Sequence, residues 1–578
     1  MKDLLKYAGK YKRDSMLAPL FKLLEALMDL LVPLVIASII NVGITKGDLT
    51  HVWKCFALLV GLALAGMVFS FTAQFFAARA SVGLATDVRQ ALFDHVQSLS
   101  YARLDEMGSD TLITRMTSDV NQVQNGYNLA LRLLLRSPFI VFGAMVMAFT
   151  IDIRCALIFL VAIPVLSILV FGIMLTSIPM FSQVQKALDK LVGITRENLT
   201  GVRVIRAFCK ESSEIEQFTR NNDDLARLNE KVGRLSALMN PGTYLLVNIA
   251  TVVLIQQGAL RVNMGGLLQG DVVALYNYMA QIIVELIKLA SLIITINKSL
   301  ACADRIADVL KVDPGMEYTG DSLRKQEYTD EIVFDHVSFG YEGSGEEAVK
   351  DIDFRIKKGS TLGIIGSTGS GKSTVVNLIP RFYDVNEGSV LIEGVDVKKY
   401  PKGVLVDKIG IVPQRAVLFE GTIRENLKWG NTHATDDELW NALEMAQAKD
   451  VVENKENMLD YKIEQNGRNL SGGQRQRLTI ARALVKKPDI LILDDSSSAL
   501  DFATDLKLRK AIHSLGNELT VVIVSQRTSS VKNADMILVL DDGMLAGKGT
   551  HEELLRDCHV YQEIYDSQFP DARKAVIA

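Results

Sequence analysis

The sequence predicts a multidomain chain: a six-helix α transmembrane domain followed by an α/β domain built around a phosphate-binding loop. Three observations predict it. Of the 578 residues, 49% are hydrophobic and 22% charged, and mean hydropathy is +0.19, which places much of the chain in lipid. Charge is divided unevenly: residues 1–320 carry 30 Lys+Arg and 26 Asp+Glu, the remainder 33 and 41. A sparsely charged, slightly basic half therefore precedes a charge-dense acidic one. Finally, a glycine-rich loop lies in the second half between an apolar run and a helical one. These features exclude a purely soluble enzyme, a disordered chain and a nucleic-acid binder built on a basic surface.

The N-terminal MKDLLKYAGKYKRDS is basic but has no short apolar core with a cleavage site behind it, so it reads as an amphipathic lead-in helix. Six apolar stretches come next, near 17–44, 52–79, 129–150, 155–180, 239–260 and 272–297, each long enough for the ~20 residues a crossing needs. The connections 45–51, 151–154 and 261–271 are short; 80–128 and 181–238 are long, polar and helical in period. The N-terminal segment and the two long loops hold 18 Lys+Arg against three in the short connections. The positive-inside rule therefore puts the long loops, both termini and the second half in the cytoplasm, making this a multi-pass protein of the cytoplasmic membrane. Helical register carries the spans into the long loops. LDEMGSDTLITRMTSDV (104–120) and NLTGVRVIRAFCKESSEIEQF (198–218) have the punctuation of short crossing helices at the loop tips.

Ionisable residues inside spans are candidates for function because charge is costly in hydrocarbon. Asp29, Glu285 and Lys288 are candidate cavity residues, and Glu285 and Lys288, three apart, share a helix face. Arg132 and Arg136, and Gln256 and Gln257, are similar; the structural alternative is an intrahelical Glu285–Lys288 pair and arginines snorkelling to an interface. The five cysteines are scattered, without metal-ligand spacing, and read as buried or inert thiols.

The transmembrane domain occupies 1–310 and a linker 311–330; the soluble domain, 331–578, opens with the strand-like EIVFDHVSFGYEG. Gly366-Ser367-Thr368-Gly369-Ser370-Gly371-Lys372-Ser373, with Thr374 next, fits G-x-x-x-x-G-K-[ST] between the apolar Leu362–Ile365 and the helical VVNLIPRFY. Glycines let backbone N–H groups turn toward phosphate oxygens, Lys372 reaches the β- and γ-phosphates, and the Ser373 hydroxyl is a Mg²⁺ ligand. A second apolar run, Ile490-Leu-Ile-Leu, ends in Asp494-Asp495, as a buried parallel strand does whose C-terminal end faces the nucleotide. Asp494 is the acid on the Mg²⁺ side.

Leu470-Ser471-Gly472-Gly473-Gln474, with Gln414 in IVPQRAVLFEGTIRENL, resembles the nucleotide-binding domain of ABC transporters. Ser498-Ala499-Leu500-Asp501 resembles that family's D-loop, and Tyr341 stands where the family has an aromatic that stacks on adenine. GTHEELL (549–555) resembles the start of its C-terminal helices. The six spans with two long cytoplasmic loops look like the exporter class, so the resemblance covers the whole chain. It implies a transport ATPase that uses ATP and Mg²⁺, the latter held by Ser373, Gln414 and Asp494. It also implies a second half-transporter, because each ATP lies between the Walker motifs of one domain and the LSGGQ of the other. Ser471 and the glycines then serve the partner's ATP.

Two positions depart from the family. Asp495 stands where a catalytic Glu is usual, and Gln526, in VVIVSQR, where a switch His is usual; none of the seven histidines replaces it by sequence position. Gln can hydrogen-bond a γ-phosphate but cannot carry a positive charge or shuttle a proton. Binding residues are kept and chemical ones lost, as in the degenerate-site subunit of bacterial heterodimeric multidrug exporters. The sequence thus reads as one subunit of a heterodimer exporting hydrophobic or amphipathic compounds, with a partner carrying intact Glu and His. A homodimeric lipid or drug exporter is an alternative, and a nucleotide-gated or regulatory membrane subunit is one of a different class.

Overall fold

The computed structural model describes residues 2–316, 328–401, 403–515 and 518–569. Most of the linker expected at 311–330 lies outside them. The chain divides into two units, 1–97 with 110–312, and 98–109 with 313–578.

The first unit is helical. A short lead-in helix α1 (Lys2–Ala8) precedes α2 (Lys12–Ser38) and α3 (Leu49–Ser98). Among the described residues, six helical stretches are long and apolar enough to cross a membrane, at Lys6–Ile44, Leu49–Ser98, Ser109–Ile151, Ile153–Thr200, Glu211–Asn263 and Gln269–Lys311. All exceed the roughly 30 Å of a hydrocarbon core at 1.5 Å per residue, so they extend beyond it as the register implied. At the tip of the first long loop sits α4 (Tyr101–Met107), capped by the Ser100 hydroxyl and ended by Gly108 at φ 72°. The chain returns through α5 (Val120–Leu133) to α6 (Arg136–Ile151) and α7 (Ile153–Thr200). The second tip is α8 (Val202–Ala207), followed by α9 (Glu211–Ala237), α10 (Met239–Asn263) and α11 (Gln269–Lys311).

Helix α11 is the spine of this unit, packing on α2, α5 and α6. Close approach is achieved with small residues, since a Cβ on Gly126 would lie 1.9 Å from Ser299 Oγ and one on Gly270 2.4 Å from the Ala37 carbonyl. Polar contacts also join the helices: Tyr278 Oη donates to the Leu30 carbonyl at 2.7 Å in the interior, and Arg261 donates to Asp152 at 2.8 Å at the helix ends. The snorkelling alternative fails for Arg136. Its guanidinium turns into the bundle, 2.9 Å from Asp29 and 2.9 Å from Glu285. Glu285 and Lys288 do pair at 2.9 Å, but Glu285 also accepts from Ser137 at 2.7 Å, so the pair is part of a larger network. Gln256 and Gln257 are exposed on α10. Four cysteines are buried free thiols; Cys209 is exposed.

The second unit has an antiparallel sheet, β1 (Asp330–Phe339), β2 (Val349–Lys357), β4 (Glu387–Ile392) and β5 (Val395–Asp396) in the order β2-β1-β4-β5. A six-stranded sheet contains β3 (Thr361–Gly366), β6 (Ile409–Val412), β7 (Ile490–Asp494), β8 (Thr520–Val524), β9 (Met536–Asp541) and β10 (Met544–Gly549). Its order is β10-β9-β3-β8-β7-β6, parallel except for the β9/β10 edge. Ile490–Asp494 and Leu362–Gly366 are buried on both faces, which explains why they are unbroken apolar runs rather than alternating ones. Register sets Val524 opposite both Ile364 and Asp494, so the loops after β3, β7 and β8 leave the same edge of the sheet.

Candidate nucleotide-binding site

That edge, at the carboxyl ends of parallel strands, is where α/β sheets bind ligands. The loop after β3 turns on glycines. A Cβ on Gly366 would lie 2.2 Å from the Leu540 carbonyl, and Gly369 and Gly371 have φ +86° and +91°, conformations that a side chain strains. The chain then enters α12 (Lys372–Leu378). Lys372 is buried, its Nζ donating to the Ser367 carbonyl at 2.5 Å and to Ser370 Oγ at 3.3 Å. Burial pushes its pKa below the usual lysine value, while Asp495 and Asp494 oppose that shift.

Ser373 Oγ donates to Asp494 Oδ1 at 3.2 Å, bringing the two motifs together across 121 residues of sequence. Burial raises the pKa of Asp494, and the Ser373 hydrogen bond counters it. Asp495 follows the strand in the left-handed region at φ 44°, its N–H bonded to the Val524 carbonyl at 3.1 Å. Asp tolerates that conformation better than most residues because its short side chain bonds locally. Burial raises its pKa too, against a hydrogen bond from Gln414 and the charges of Lys372 and Arg527.

A cavity of about 300 Å³ is walled by Tyr341, Thr368, Gly369, Gly371, Lys372, Ser373, Thr374, Gln414, Asp494, Asp495 and Gln526, all named from the sequence. Gly366, Ser367 and Ser370 form the loop behind that wall. Sequence reading missed Ala348 and Val524, which also line it, and no motif marks them. It also missed Tyr383, whose ring stands 5.3 Å from Tyr341, and Gln568. The Gln568 side chain donates to the Gln526 carbonyl and accepts from the Thr528 N–H, both at 2.8 Å, fixing the switch loop to the last described helix, α15 (His559–Gln568). No described histidine lines the cavity.

The signature and the D-loop are not in this wall. Ser471 caps α13 (Gly472–Val485) in a reciprocal box with Gln474, at 3.3 and 3.0 Å, and Leu470 is buried beneath. Gly472 has open space around it, and a Cβ on Gly473 would lie 3.0 Å from the Ala499 carbonyl, so signature and D-loop abut. Asp501 caps α14 (Phe502–His513) through the Thr504 N–H at 2.8 Å, with Leu500 buried and Ser498 bonded to the Asp495 carbonyl.

A phosphate-binding loop, a Walker B strand and a separate LSGGQ helix on one domain, in a chain that begins with six membrane-crossing helices, define an ATP-driven exporter fold. Residues 15–286 match the ABC transporter transmembrane region, and 349–498 match the ABC transporter domain. The chain belongs to the ABC transporters, as a multi-pass membrane protein with a cytoplasmic ATP-binding domain. It is 37% identical over 573 residues to the uncharacterized ABC transporter ATP-binding protein YfiB of Bacillus subtilis, covering 98% of this chain and 99% of that one. It is 30% identical to the ATP-dependent lipid A-core flippase of Syntrophus aciditrophicus, over 84% of this chain and 81% of the other. A bacterial Atm1-family ABC exporter with ATP bound has the same fold, with a TM-score of 0.79, 24% identity, and coverage of 96% of this chain and 98% of that one.

Proposed function

We propose that this chain is one subunit of a heterodimeric exporter of hydrophobic or amphipathic compounds, whose own Walker site binds ATP but hydrolyses it poorly. The observation that carries the reading is that Asp495 and Gln526 both line the nucleotide cavity. They occupy the positions from which a γ-phosphate and its attacking water would be served, and neither is suited to the work. Asp495 is one methylene shorter than Glu, so its carboxylate stops short of where a Glu would reach. Gln526 has no titratable proton. Positioned acid–base groups contribute about 10²–10⁴-fold, so the deficit falls on turnover. Binding is served by the Walker glycines, Lys372 and Tyr341.

The donor set Ser373, Asp494 and Gln414 is all oxygen and fits Mg²⁺, which when bound neutralises charge between the phosphates. The signature helix is undamaged: the Ser471 cap holds its start, and the space at Gly472 permits close approach of a second molecule. It supports a competent composite site on a partner that carries Glu and His. The lipid A-core flippases among the relatives favour an amphipathic cargo. The test is ATPase activity of the purified chain alone and with its co-expressed partner. Little turnover alone and robust turnover together is expected; robust turnover by this chain alone overturns the reading.

A further inference from the structure

A second cavity, about 470 Å³, opens among α2, α6 and α11 within the first unit. Its wall carries Asp29, Arg136, Glu285 and Lys288 as a chain of alternating sign, each contact 2.9 Å: Asp29 to Arg136, Arg136 to Glu285, Glu285 to Lys288; behind the wall Glu25, 3.8 Å from Arg136 and 2.5 Å from Lys22, extends the network by one further pair. The middle pair is nearly buried, with side chains 12% and 5% exposed, and Ser137 also holds Glu285. The end members, Asp29 and Lys288, are each 44% exposed. Ionisable side chains clustered between membrane-crossing helices are a costly arrangement that tends to mark a pathway. Two neighbouring polar atoms, Gln281 Oε1 and Arg136 Nε, are buried with no hydrogen-bond partner among the described residues. Such atoms are a few per hundred residues in folded proteins and require an explanation.

We infer that this cavity binds the head of a zwitterionic amphiphile, its cationic group at Asp29 and its anionic group at Lys288. With Lys22 and Glu25 counted the network is electroneutral, so a ligand with one net charge adds an unbalanced charge to the bundle, whereas a zwitterion meets both exposed ends and adds none. Val32, Pro33 and Ile36 of α2 offer the adjoining wall for an apolar tail. The inference deepens the export reading by naming its substrate class, and rests on that reading only for the transport step after binding.

The test uses the full chain in lipid nanodiscs and three decyl amphiphiles, with phosphocholine, trimethylammonium and sulfonate heads, read by binding anisotropy of a common fluorescent tag. Charge-assisted contacts at both ends predict that phosphocholine binds about tenfold tighter than either singly charged probe. Asp29→Asn should transfer the preference to sulfonate, and Lys288→Met to trimethylammonium. Equal affinities for the three heads, or variants that keep the wild-type order, overturn the assignment. Wild-type yield and a single symmetric peak of the full chain on size exclusion show that each variant is folded. Competition by phosphatidylcholine discs but not phosphatidylglycerol discs assigns the occupant to bilayer lipid; no competition assigns it to a free amphiphile. Selective binding without ATP-driven transport sinks the export reading alone, and transport of dyes without head selectivity sinks this one alone.

Discussion

Tyr383 Oη donates a 2.7 Å hydrogen bond to Asp105 Oδ2, joining the tip helix α4 to the ATP-binding unit. Burial first, then Asp105, raises the pKa of Tyr383, so the phenol stays a donor at every physiological pH. The contact is reinforced by Tyr101, 4.6 Å from Phe382, and by Arg103, 2.8 Å from Glu342. Because Tyr383 also meets Tyr341 of the nucleotide cavity, a contiguous path runs from that cavity to α4.

Tyr383→Phe keeps the ring and deletes the bond. It should lower the number of molecules transported per ATP hydrolysed while leaving ATP affinity within about twofold, with a stability loss of about 1 kcal/mol. Vesicle transport and phosphate release measured on the same preparation give the ratio; an unchanged ratio disproves the role.

The pair Asp495→Glu with Gln526→His should raise ATP turnover of this chain by at least about tenfold, part of the 10²–10⁴ that positioned acid–base groups supply. Glu at φ 44° is less comfortable than Asp, so recovery should be incomplete. Asp495→Ala alone should mainly change nucleotide affinity. For the proposed pairing with a partner that carries a catalytic Glu, replacing that Glu with Gln should abolish turnover.

Lys372→Ala removes a buried cation from the phosphate loop. Loss of a charge-assisted contact predicts about 10–100-fold weaker ATP binding, measured by titration with a fluorescent ATP analogue. Binding within threefold of wild type would exclude Lys372 as a phosphate ligand.

Glu331, fully buried with both carboxylate oxygens unpartnered among the described residues, has its pKa pushed up to about 7, by burial and then by Glu393. Its folded pKa is above the ordinary 4.5, so the stability it confers is complete below about pH 4.5 and is lost as pH rises to about 7. Glu331→Gln should therefore stabilise the chain by on the order of 2–3 kcal/mol at pH 8 and by little at pH 5. Thermal unfolding of both proteins across that range is the measurement; a pH-independent difference contradicts it.

Arg136→Met strips the buried Glu285 of its guanidinium. Breaking one side of a buried ion pair costs about 3–5 kcal/mol, so the variant should lose folded yield, with partial rescue by Glu285→Gln in the same chain. Yield equal to wild type in the single variant would refute the pairing.

Much of this protein is written in its sequence because the signals are local. Twenty apolar residues must span lipid, since no other structure satisfies the backbone there, and the basic loops fix orientation. The phosphate loop was legible because its glycines, Lys372 and Ser373 are contiguous, and backbone geometry ties each residue type to its place. The departures at Asp495 and Gln526 were legible for the same reason.

What only tertiary structure decided are pairings between distant segments, whose energies depend on distance and burial rather than on spacing in the chain. Arg136 reads equally well as snorkelling or buried until α2 and α11 bring Asp29 and Glu285 within 2.9 Å. Gln568 carries no motif, and its hold on the Gln526 loop comes from where α15 packs. Residues 98–109 read as a membrane-domain loop and belong by contact with the ATP-binding unit, because a hydrogen bond to Tyr383 and a ring against Phe382 outweigh chain continuity.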